Sequence, residues 1–413
     1  KNHTNLHETT TNRPYSFTGS SFFMSHIKSI PCLFLILFFA TGCKIEYRPP
    51  VESPKTGYLV VEGFINSDGG PTTITLSRTL KLYDDTTRNN REHNAIVNIQ
   101  GSDNESFPLH ETGDGVYTSE PLQLNSNEKY RLYIKTQFGK EYESDYSSYR
   151  STPEIDSLSW NRNNDGVKIY INTHDDAVQP TYYFWSYEET WEIHSAFLSQ
   201  LVYFYSPGGL FPVGVSFRFA DHSADSSLYK CWQTENSSNI NIGSSEKLSN
   251  GHIYFPIMSI EPGGRKLSVL FSIQVKQYEI SKAQYDYLRI LKKNSEDIGS
   301  ITGPLPSELK GNIQCLSNPS ETVVGFVEVL QQRESERLFI SNNQLPNWNY
   351  DPHCSVVSVE NNPDDVKDKG DLFPTLVHEE IGLGAIKSFY ATADRNCMDC
   401  TVHGSPVKPD FWP

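Results

Sequence analysis

The residue pair best placed to do chemistry is Cys397 and Cys400. Two thiols at this spacing can ligate zinc or cycle as a redox dithiol. A complete zinc site needs a second pair of ligands, and Cys354, His378 and His403 lack a recognised finger spacing. In a secreted chain such cysteines form disulfides. The pattern therefore predicts structural cysteines, with no metal and no cofactor.

Other catalytic motifs are incomplete. The sequence His378-Glu379-Glu380-Ile381 begins like a zinc-protease helix, but the second histidine would have to stand where Gly382 does. There is no G-x-S-x-G elbow and no phosphate-binding glycine loop. Carboxylates are abundant, but abundance alone does not nominate an acid and base pair. We predict that the protein is not an enzyme; a hydrolase with an unrecognised site is an alternative.

The densest aromatic group lies in the stretch YYFWSYEETW, residues 182–191. On a strand, Tyr183, Trp185 and Tyr187 would share one face, with Trp191 farther along. Such a face is either core or a platform for sugar rings or a protein partner. Core is the favoured interpretation. If one face is exposed, these four residues are the candidate ligand platform.

Short alternating runs separated by turn signals must position these residues. From 57 to 152 they include YLVVEGFI, TTITLSRT and KYRLYIKT. About seven strands in roughly 95 residues is the size and rhythm of an immunoglobulin-like β-sandwich. The sequence therefore predicts a mainly β fold that begins with such a domain.

A larger β-rich second domain is predicted over 153–396, followed by a cysteine-containing tail, 397–413. Within it, SKAQYDYLRILKKNSE, residues 281–296, has helical periodicity and Ser281 as N-cap. We expect this helix to pack on a sheet.

The start of the chain predicts export. Residues 1–23 are polar and are interpreted as an upstream extension that is not native. Residues 24–42 have the basic head, short apolar run and small residues of a signal peptide, and the apolar run is too short to span a bilayer. The ending ATGC resembles a lipobox, which predicts lipid on Cys43. The proline-containing stretch 43–56 is predicted to be a tether.

The charge excludes one class of partner. The chain has 35 Lys and Arg against 50 Asp and Glu, a net charge of −15. Removing residues 1–42 takes away three basic residues and one acidic residue, which leaves 32 against 49, or −17. Such a surface repels phosphate backbones, so nucleic acid is not expected to bind.

Five cysteines remain after Cys32 leaves with the signal and Cys43 is acylated. In an oxidising compartment most of them should pair, and the odd count leaves one over. Spacing does not give the connectivity; Cys354 with either of the last two is the preferred pair. The disulfide candidates are Cys231, Cys315, Cys354, Cys397 and Cys400.

Several short segments follow one another in a distinctive order along the chain. They are VVEGFI at 60–65, CW at 231–232, YDYL at 285–288, PSELKGN at 306–312 and GF at 325–326. The most specific segment is the ending CMDCTVHGSPVKPDFW, residues 397–412. Together these segments resemble the domain-of-unknown-function 4249 family of bacterial outer-membrane lipoproteins.

The resemblance implies a lipid-anchored outer-membrane protein, surface-exposed in one interpretation, that is associated with TonB-dependent transporters and nutrient uptake. It supplies no catalytic residues, and it implies that Cys315 is the unpaired thiol. We expect an accessory subunit that contacts the transporter or its cargo. Alternatives are an independent glycan- or peptide-binding lipoprotein, and the hydrolase mentioned above.

Overall fold

In this computed structural model the N-terminal alternating runs form short strands. In β7, Tyr130, Leu132 and Ile134 are buried while the residues between them are not, as a half-buried strand requires. The strands are β1 (Leu59–Gly63), β2 (Ile65–Asn66), β3 (Thr73–Arg78), β4 (Ile96–Gly101), β5 (Ser106–Gly113), β6 (Val116–Ser119), β7 (Lys129–Lys135), β8 (Glu141–Ser144) and β9 (Ser147–Ser148).

The structure describes residues 57–80, 90–175, 179–248, 251–296, 309–382 and 384–413. The predicted extension 1–23, the signal 24–42, the lipid site Cys43 and the tether 43–56 lie outside the described residues.

The chain returns to the N-terminal strands much later, through β19 (Ile313–Cys315) and β20 (Val324–Gly325). The described residues form a ten-stranded sheet in the order β19-β8-β7-β4-β5-β6-β3-β1-β20, with β9 paired to β7. Its strands enclose one apolar core in a sandwich-like arrangement. At the parallel β1–β20 pair, a Cβ on Gly325 would lie 2.5 Å from the Val61 carbonyl oxygen, so only glycine fits this close approach.

A second group of strands follows. A six-stranded sheet, here called the central sheet, has the thirteen-residue β12 between β15 and β18, and also includes β16, β22 and β23. The separate sheet β10-β11-β17 packs against it. Their bounds are β10 (Ile155–Asn163), β11 (Gly166–Thr173), β12 (Tyr182–His194), β13 (Leu201–Tyr205), β14 (Pro212–Phe217), β15 (Lys230–Asn236), β16 (Asn241–Ser244), β17 (Ile253–Ile260) and β18 (Leu270–Ile280).

The remaining strands form small sheets. The parallel pair β2–β21 and the sheets β13–β14 and β24-β26-β25 complete the described fold. Their bounds are β21 (Val329–Leu330), β22 (Gln332–Glu334), β23 (Leu338–Ser341), β24 (Val357–Glu360), β25 (Phe373–Ile381) and β26 (Ala385–Thr392).

Helices are few among the described residues, and the mainly β prediction is confirmed. They are α1 (Ser226–Tyr229), α2 (Lys282–Glu296) and α3 (Pro363–Asp368), with 3₁₀ turns at Arg265–Leu267, Asn342–Gln344, Arg395–Cys397 and Cys400–Val402. None of the helices in the described part of the chain combines the length and apolar composition needed to cross a bilayer.

The predicted helix at 281–296 is confirmed as α2. Ser281 Oγ accepts a hydrogen bond from Gln284 N at 3.0 Å, which satisfies one of the free donors of the first turn. Tyr285 and Leu288 pack against a small core that Tyr182 and Ile280 of the central sheet help to form. The helix therefore lies on the sheet as expected.

The described residues between 57 and 413 form one compact unit. Near the predicted boundary at 152–153, Thr152 Oγ1 donates to the Gln331 carbonyl oxygen at 2.6 Å and accepts from Glu279 N at 3.0 Å. The division into two domains stays a prediction.

Candidate functional site

A polar groove runs beside β12. A cavity of about 650 Å³ is lined by residues of β11, β12, β15 and β17. A second cavity, of about 390 Å³, lies next to the turn Arg265–Leu267. Met258, Ser259 and Lys266 line both cavities, so we treat the two as one groove.

Strand β12 supplies the base of the groove. Tyr187, Glu189 and Trp191 alternate along the strand and therefore lie on one face. All three are buried, and all three line the groove. The alternation along β12 thus places the carboxylate of Glu189 on the same face as the aromatic side chains.

Lys266 forms ion pairs with the carboxylates of the groove. Its Nζ lies 2.6 Å from Glu189 Oε1, 3.5 Å from Glu235 Oε2 and 4.6 Å from the centre of the Trp191 ring. Burial raises the pKa of Glu189, and the bond from Lys266 only partly opposes this effect. The groove therefore contains two carboxylates that share one ammonium group.

The second cavity is cationic. Burial lowers the pKa of the Arg265 guanidinium. Burial, followed by the nearby Arg265 charge, lowers the pKa of His403. The guanidinium and imidazole donors that line this cavity suit a ligand that carries hydrogen-bond acceptors.

Three of the buried polar atoms that have no partner among the described residues belong to side chains that line the groove. They are Glu189 Oε2, Trp191 Nε1 and Arg265 Nη2. A buried polar group that stays unpaired costs about 1–3 kcal/mol. Such groups are uncommon in native proteins, and a ligand in the groove could pair with them.

The groove suits binding better than hydrolysis. A glycosidase of the usual kind needs one carboxylic acid and one free carboxylate flanking the bond to be cleaved. Here Lys266 forms ion pairs with both Glu189 and Glu235. At the edge of the groove, Tyr170 stacks on the exposed Tyr254 with ring centres 4.5 Å apart. This arrangement offers ring faces and hydrogen bonds to a polar ligand.

The four residues named as a candidate platform are core residues. Tyr183 and Trp185 are 0% exposed, Tyr187 is 7% exposed and Trp191 3%. Trp185 Nε1 donates to Gln277 Oε1 at 2.8 Å. The sheet β10-β11-β17 covers their face, which sequence periodicity does not reveal. Burial agrees with the favoured core interpretation for Tyr183 and Trp185, whereas Tyr187 and Trp191 also line the groove. A ligand platform at these residues stays a prediction.

Four of the five described cysteines form two disulfides. Cys354 pairs with Cys397, one of the two pairings left open, and Cys231 pairs with Cys400. Cys315 is a buried free thiol in the ten-stranded sheet. The last two cysteines thus bond to different partners and not to each other.

The C-terminal tail closes over the central sheet beside the groove. Trp232 and Ser405 exchange backbone hydrogen bonds of 2.8 Å. Trp412 is buried, and its Nε1 donates to Glu192 Oε2 at 3.2 Å. Arg337 lies over the Phe411 ring at 3.7 Å. These contacts make residues 397–412 an integral part of the folded structure.

One group of possible metal ligands was missed by the sequence analysis. Asp156, His174 and His252 place their ligating atoms within 4.8 Å of one another. Asp156 lies in β10, whereas His174 follows β11 and His252 precedes β17. The three residues have no motif spacing, so only the sheet register brings them together.

A turn between β13 and β14 exposes apolar residues. Leu210 is 89% exposed, and Phe204, Tyr205 and Phe211 are also exposed. The two strands are anchored at their base, where Leu201 and other residues pack in a small core. We call residues 204–211 the apolar turn.

Comparison with known families agrees with the resemblance. The family described as "Domain of unknown function (DUF4249)" matches residues 44–336, which is more than half of the chain. The chain belongs to this family. Among curated proteins, nothing matches this DUF4249 chain.

Solved structures similar to this DUF4249 chain are distant, and their TM-scores carry no functional argument. A DUF4785 family protein from Legionella pneumophila subsp. pneumophila str. Philadelphia 1 has 7% identity and a TM-score of 0.19, with 54% of this chain and 52% of that chain covered. Trypsin-activated alpha-2-macroglobulin from Escherichia coli has 9% identity and a TM-score of 0.18, with 55% and 15% covered. This chain thus spans about half of the first protein and a smaller part of the second.

Proposed function

We propose that this protein is a lipid-anchored accessory subunit of a TonB-dependent outer-membrane nutrient uptake system, and not an enzyme. The observation that carries the proposal is the apolar turn, which is suited to contact a protein partner. Membership of the DUF4249 family and the lipobox ending at Cys43 agree with it.

The apolar turn has the chemistry of a contact surface. Exposed apolar side chains that cluster, instead of standing singly, mark interaction sites. Aromatic residues are enriched at the centres of protein interfaces. The turn carries the exposed aliphatic side chain of Leu210 and the exposed aromatic rings of Phe204, Tyr205 and Phe211, at the end of the β13–β14 hairpin. Burying Leu210 against a partner would contribute about 1.5–3 kcal/mol.

The test is affinity purification from detergent-solubilised outer membranes followed by mass spectrometry. We expect the wild-type chain to recover a TonB-dependent transporter in stoichiometric amount, and the double variant Leu210→Asp/Phe211→Asp to lose it. The matched control is Phe138→Asp, since Phe138 is 86% exposed in another turn. Recovery of the wild-type chain alone would contradict the accessory role. Equal recovery by the double variant would reject the apolar turn as the contact.

The lipid anchor has a separate test. Because the thiol of Cys43 is the acceptor, Cys43→Ser should abolish metabolic labelling with radioactive palmitate and release the chain from the membrane fraction. Cys315→Ser is the matched control, and it should leave both readouts unchanged. Labelling that persists in Cys43→Ser would overturn the lipoprotein interpretation.

A second candidate function, independent capture of a glycan or peptide, is favoured by the unpartnered polar atoms along the groove. A ligand with hydroxyl or amide groups would satisfy donors on Trp191 and Arg265 and an acceptor on Glu189. Calorimetric titration with glycan and peptide panels tests it. Binding should weaken in Arg265→Gln and stay unchanged in Lys387→Ala, which alters an exposed ion pair far along the chain. Cleavage of the bound ligand would instead favour the hydrolase alternative.

A further inference from the structure

Three potential metal ligands converge at one end of the sheet β10-β11-β17. The ligating atoms of Asp156, His174 and His252 all lie within 4.8 Å of one another. His174 Nδ1 is 2.8 Å from each carboxylate oxygen of Asp156. The two imidazole rings stack with their centres 4.9 Å apart and an interplanar angle of 17°.

The register of the sheet explains why the two histidines meet. Thr173 of β11 lies opposite both Ile155 of β10 and Ile253 of β17. Both pairings are antiparallel, so His174, one residue beyond Thr173, is placed beside His252, one residue before Ile253. The same strand end therefore carries one imidazole from each of two neighbouring strands.

A β-bulge brings in the carboxylate. The pairing of β10 with β11 shifts between Ile155 and Ser157, which makes Asp156 the extra residue. A bulge bends its strand and re-aims a side chain, and bulges are over-represented next to functional sites. Without this shift the side chains of β10 would keep strict alternation, and Asp156 would follow the ordinary pleat.

We propose that Asp156, His174 and His252 bind a divalent transition metal ion, with Zn²⁺ as the best match. Zinc accepts histidine nitrogen at about 2.0–2.1 Å and carboxylate oxygen at about 2.0–2.2 Å. Imidazole ligands suit zinc, copper, iron and nickel, whereas magnesium and calcium prefer sites built from oxygen alone. Three protein ligands leave a coordination position for water or a bound ligand, as in open zinc sites.

The geometry needs only small adjustments. Ligands about 2 Å from a tetrahedral ion lie roughly 3.4 Å from one another. Side-chain rotations that move the ligating atoms by about 1 Å would bring them from their present separations, which are within 4.8 Å, to this distance. Asp156 and His252 are exposed and His174 is half-buried, so an ion can enter from solvent and the rings can turn. The carboxylate charge offsets half of the charge of the ion. In the metal-free chain the hydrogen bond between His174 and Asp156 holds two of the ligands in place.

A bound ion would join strand ends that come from distant parts of the chain. Asp156 lies in β10 and His252 immediately precedes β17, and these two strands do not pair with each other, because β11 lies between them. Any ion that binds the folded chain and not the unfolded chain stabilises the folded state by mass action. Metal binding should therefore raise the unfolding temperature as well as fill the site.

The experiment is a zinc titration of the full chain, purified without a polyhistidine tag, by calorimetry and chelator competition. We expect one equivalent of saturable binding and a higher unfolding temperature with zinc. The double variant His174→Ala/His252→Ala should bind at least about tenfold more weakly, since even indirect support of a metal ligand is worth roughly 10–100-fold. Cobalt should give the visible absorption of a tetrahedral centre in wild type and not in the variant.

Two further variants keep the test decisive. Asp156→Asn retains an acceptor for His174 and so preserves the local fold, but it should also weaken binding. His353→Ala is the matched control, because His353 is an exposed histidine that pairs with Asp351 at 3.3 Å. Absence of saturable zinc and cobalt binding in the wild-type chain would overturn the proposal. Equal affinity in the wild type and the folded double variant would also overturn it.

Discussion

The ten-stranded sheet and the central sheet are stabilised in different ways. In the ten-stranded sheet, buried tyrosine hydroxyls are paired, as when Tyr117 donates to the Glu92 carbonyl oxygen at 2.8 Å, and its cysteine stays a free thiol. The central sheet is tied to the tail by Cys231–Cys400, and it borders the groove with its unpartnered atoms. In the ten-stranded sheet the hydroxyls of the buried tyrosines thus have hydrogen-bond partners. The central sheet combines a disulfide cross-link with buried polar atoms that have no partner among the described residues.

The largest expected effect concerns the core of the central sheet. Trp185→Ala should lower the free energy of unfolding by about 3–5 kcal/mol, because it leaves a cavity and removes the donor to Gln277. Urea denaturation measures the loss. Tyr254→Ala, at an exposed aromatic residue, should change stability by about 0.5 kcal/mol or less. A mild loss in Trp185→Ala would favour the platform interpretation again.

The second effect compares the stability contributed by the disulfide of the central sheet with that contributed by the free cysteine of the ten-stranded sheet. The double variant Cys231→Ser/Cys400→Ser should lose about 2–4 kcal/mol of stability, since it removes a bond that closes a loop of 169 residues. Cys315→Ala should lose only about 1 kcal/mol, because it removes a small buried group. Denaturation with and without a reducing agent measures both. A sensitivity to reductant that the double variant retains in full would contradict the assignment.

The third effect is the pH dependence of the stability that Glu321 contributes to the ten-stranded sheet. Burial alone would raise the pKa of Glu321, but hydrogen bonds from Lys140 and Tyr142 and the Arg78 charge outweigh it and hold the pKa below its usual value. The stabilisation is therefore present above the unfolded-state pKa, near 4.5, and is lost as pH falls through the lower folded-state pKa. Glu321→Gln should cost about 1–2 kcal/mol at pH 7, a modest value because Lys140 is half-exposed.

The same series of denaturation curves between pH 7 and pH 3 completes this test. The difference between wild type and Glu321→Gln should shrink on the acidic side, since the wild-type carboxylate is then protonated too. A difference that grows toward acid would show that the assigned sign is wrong.

The smallest effect concerns the tail. Trp412→Phe keeps an aromatic ring beside Phe339 but removes the donor to Glu192, and it should cost about 0.5–1.5 kcal/mol. Glu192 still accepts from Lys230 and His194, so no buried carboxylate is left unpaired. Val407→Ala, at an exposed site, is the control and should change stability little. A loss above about 3 kcal/mol would show that the tail depends on the indole far more than its single hydrogen bond predicts.

Local patterns predicted much of the fold. Alternation in KYRLYIKT gave β7, and helical periodicity with Ser281 as cap gave α2. The pairing of β1 with β20 could not be predicted, because it joins Val60 to Val324 and the second strand has two residues. Short strands with distant partners leave no periodic signal.

The candidate sites were harder to predict for the same reason. The aromatic run was identified, but whether its face was exposed depended on a second sheet covering it. The possible metal ligands depend on a register and a bulge between three strands. The most useful missed signal is that His174 and His252 each flank a strand end, next to Thr173 and Ile253.

The late pairing of β20 with β1 also bears on biosynthesis. A chain that emerges from its N-terminus presents β1 and β3 long before residue 324 exists, so one side of β1 first stands as an open edge. Open edges recruit other strands, which makes a nascent or truncated chain prone to aggregation. The sheet is thus completed only late in synthesis. A chain truncated before Val324 would keep β1 as an unpaired edge strand.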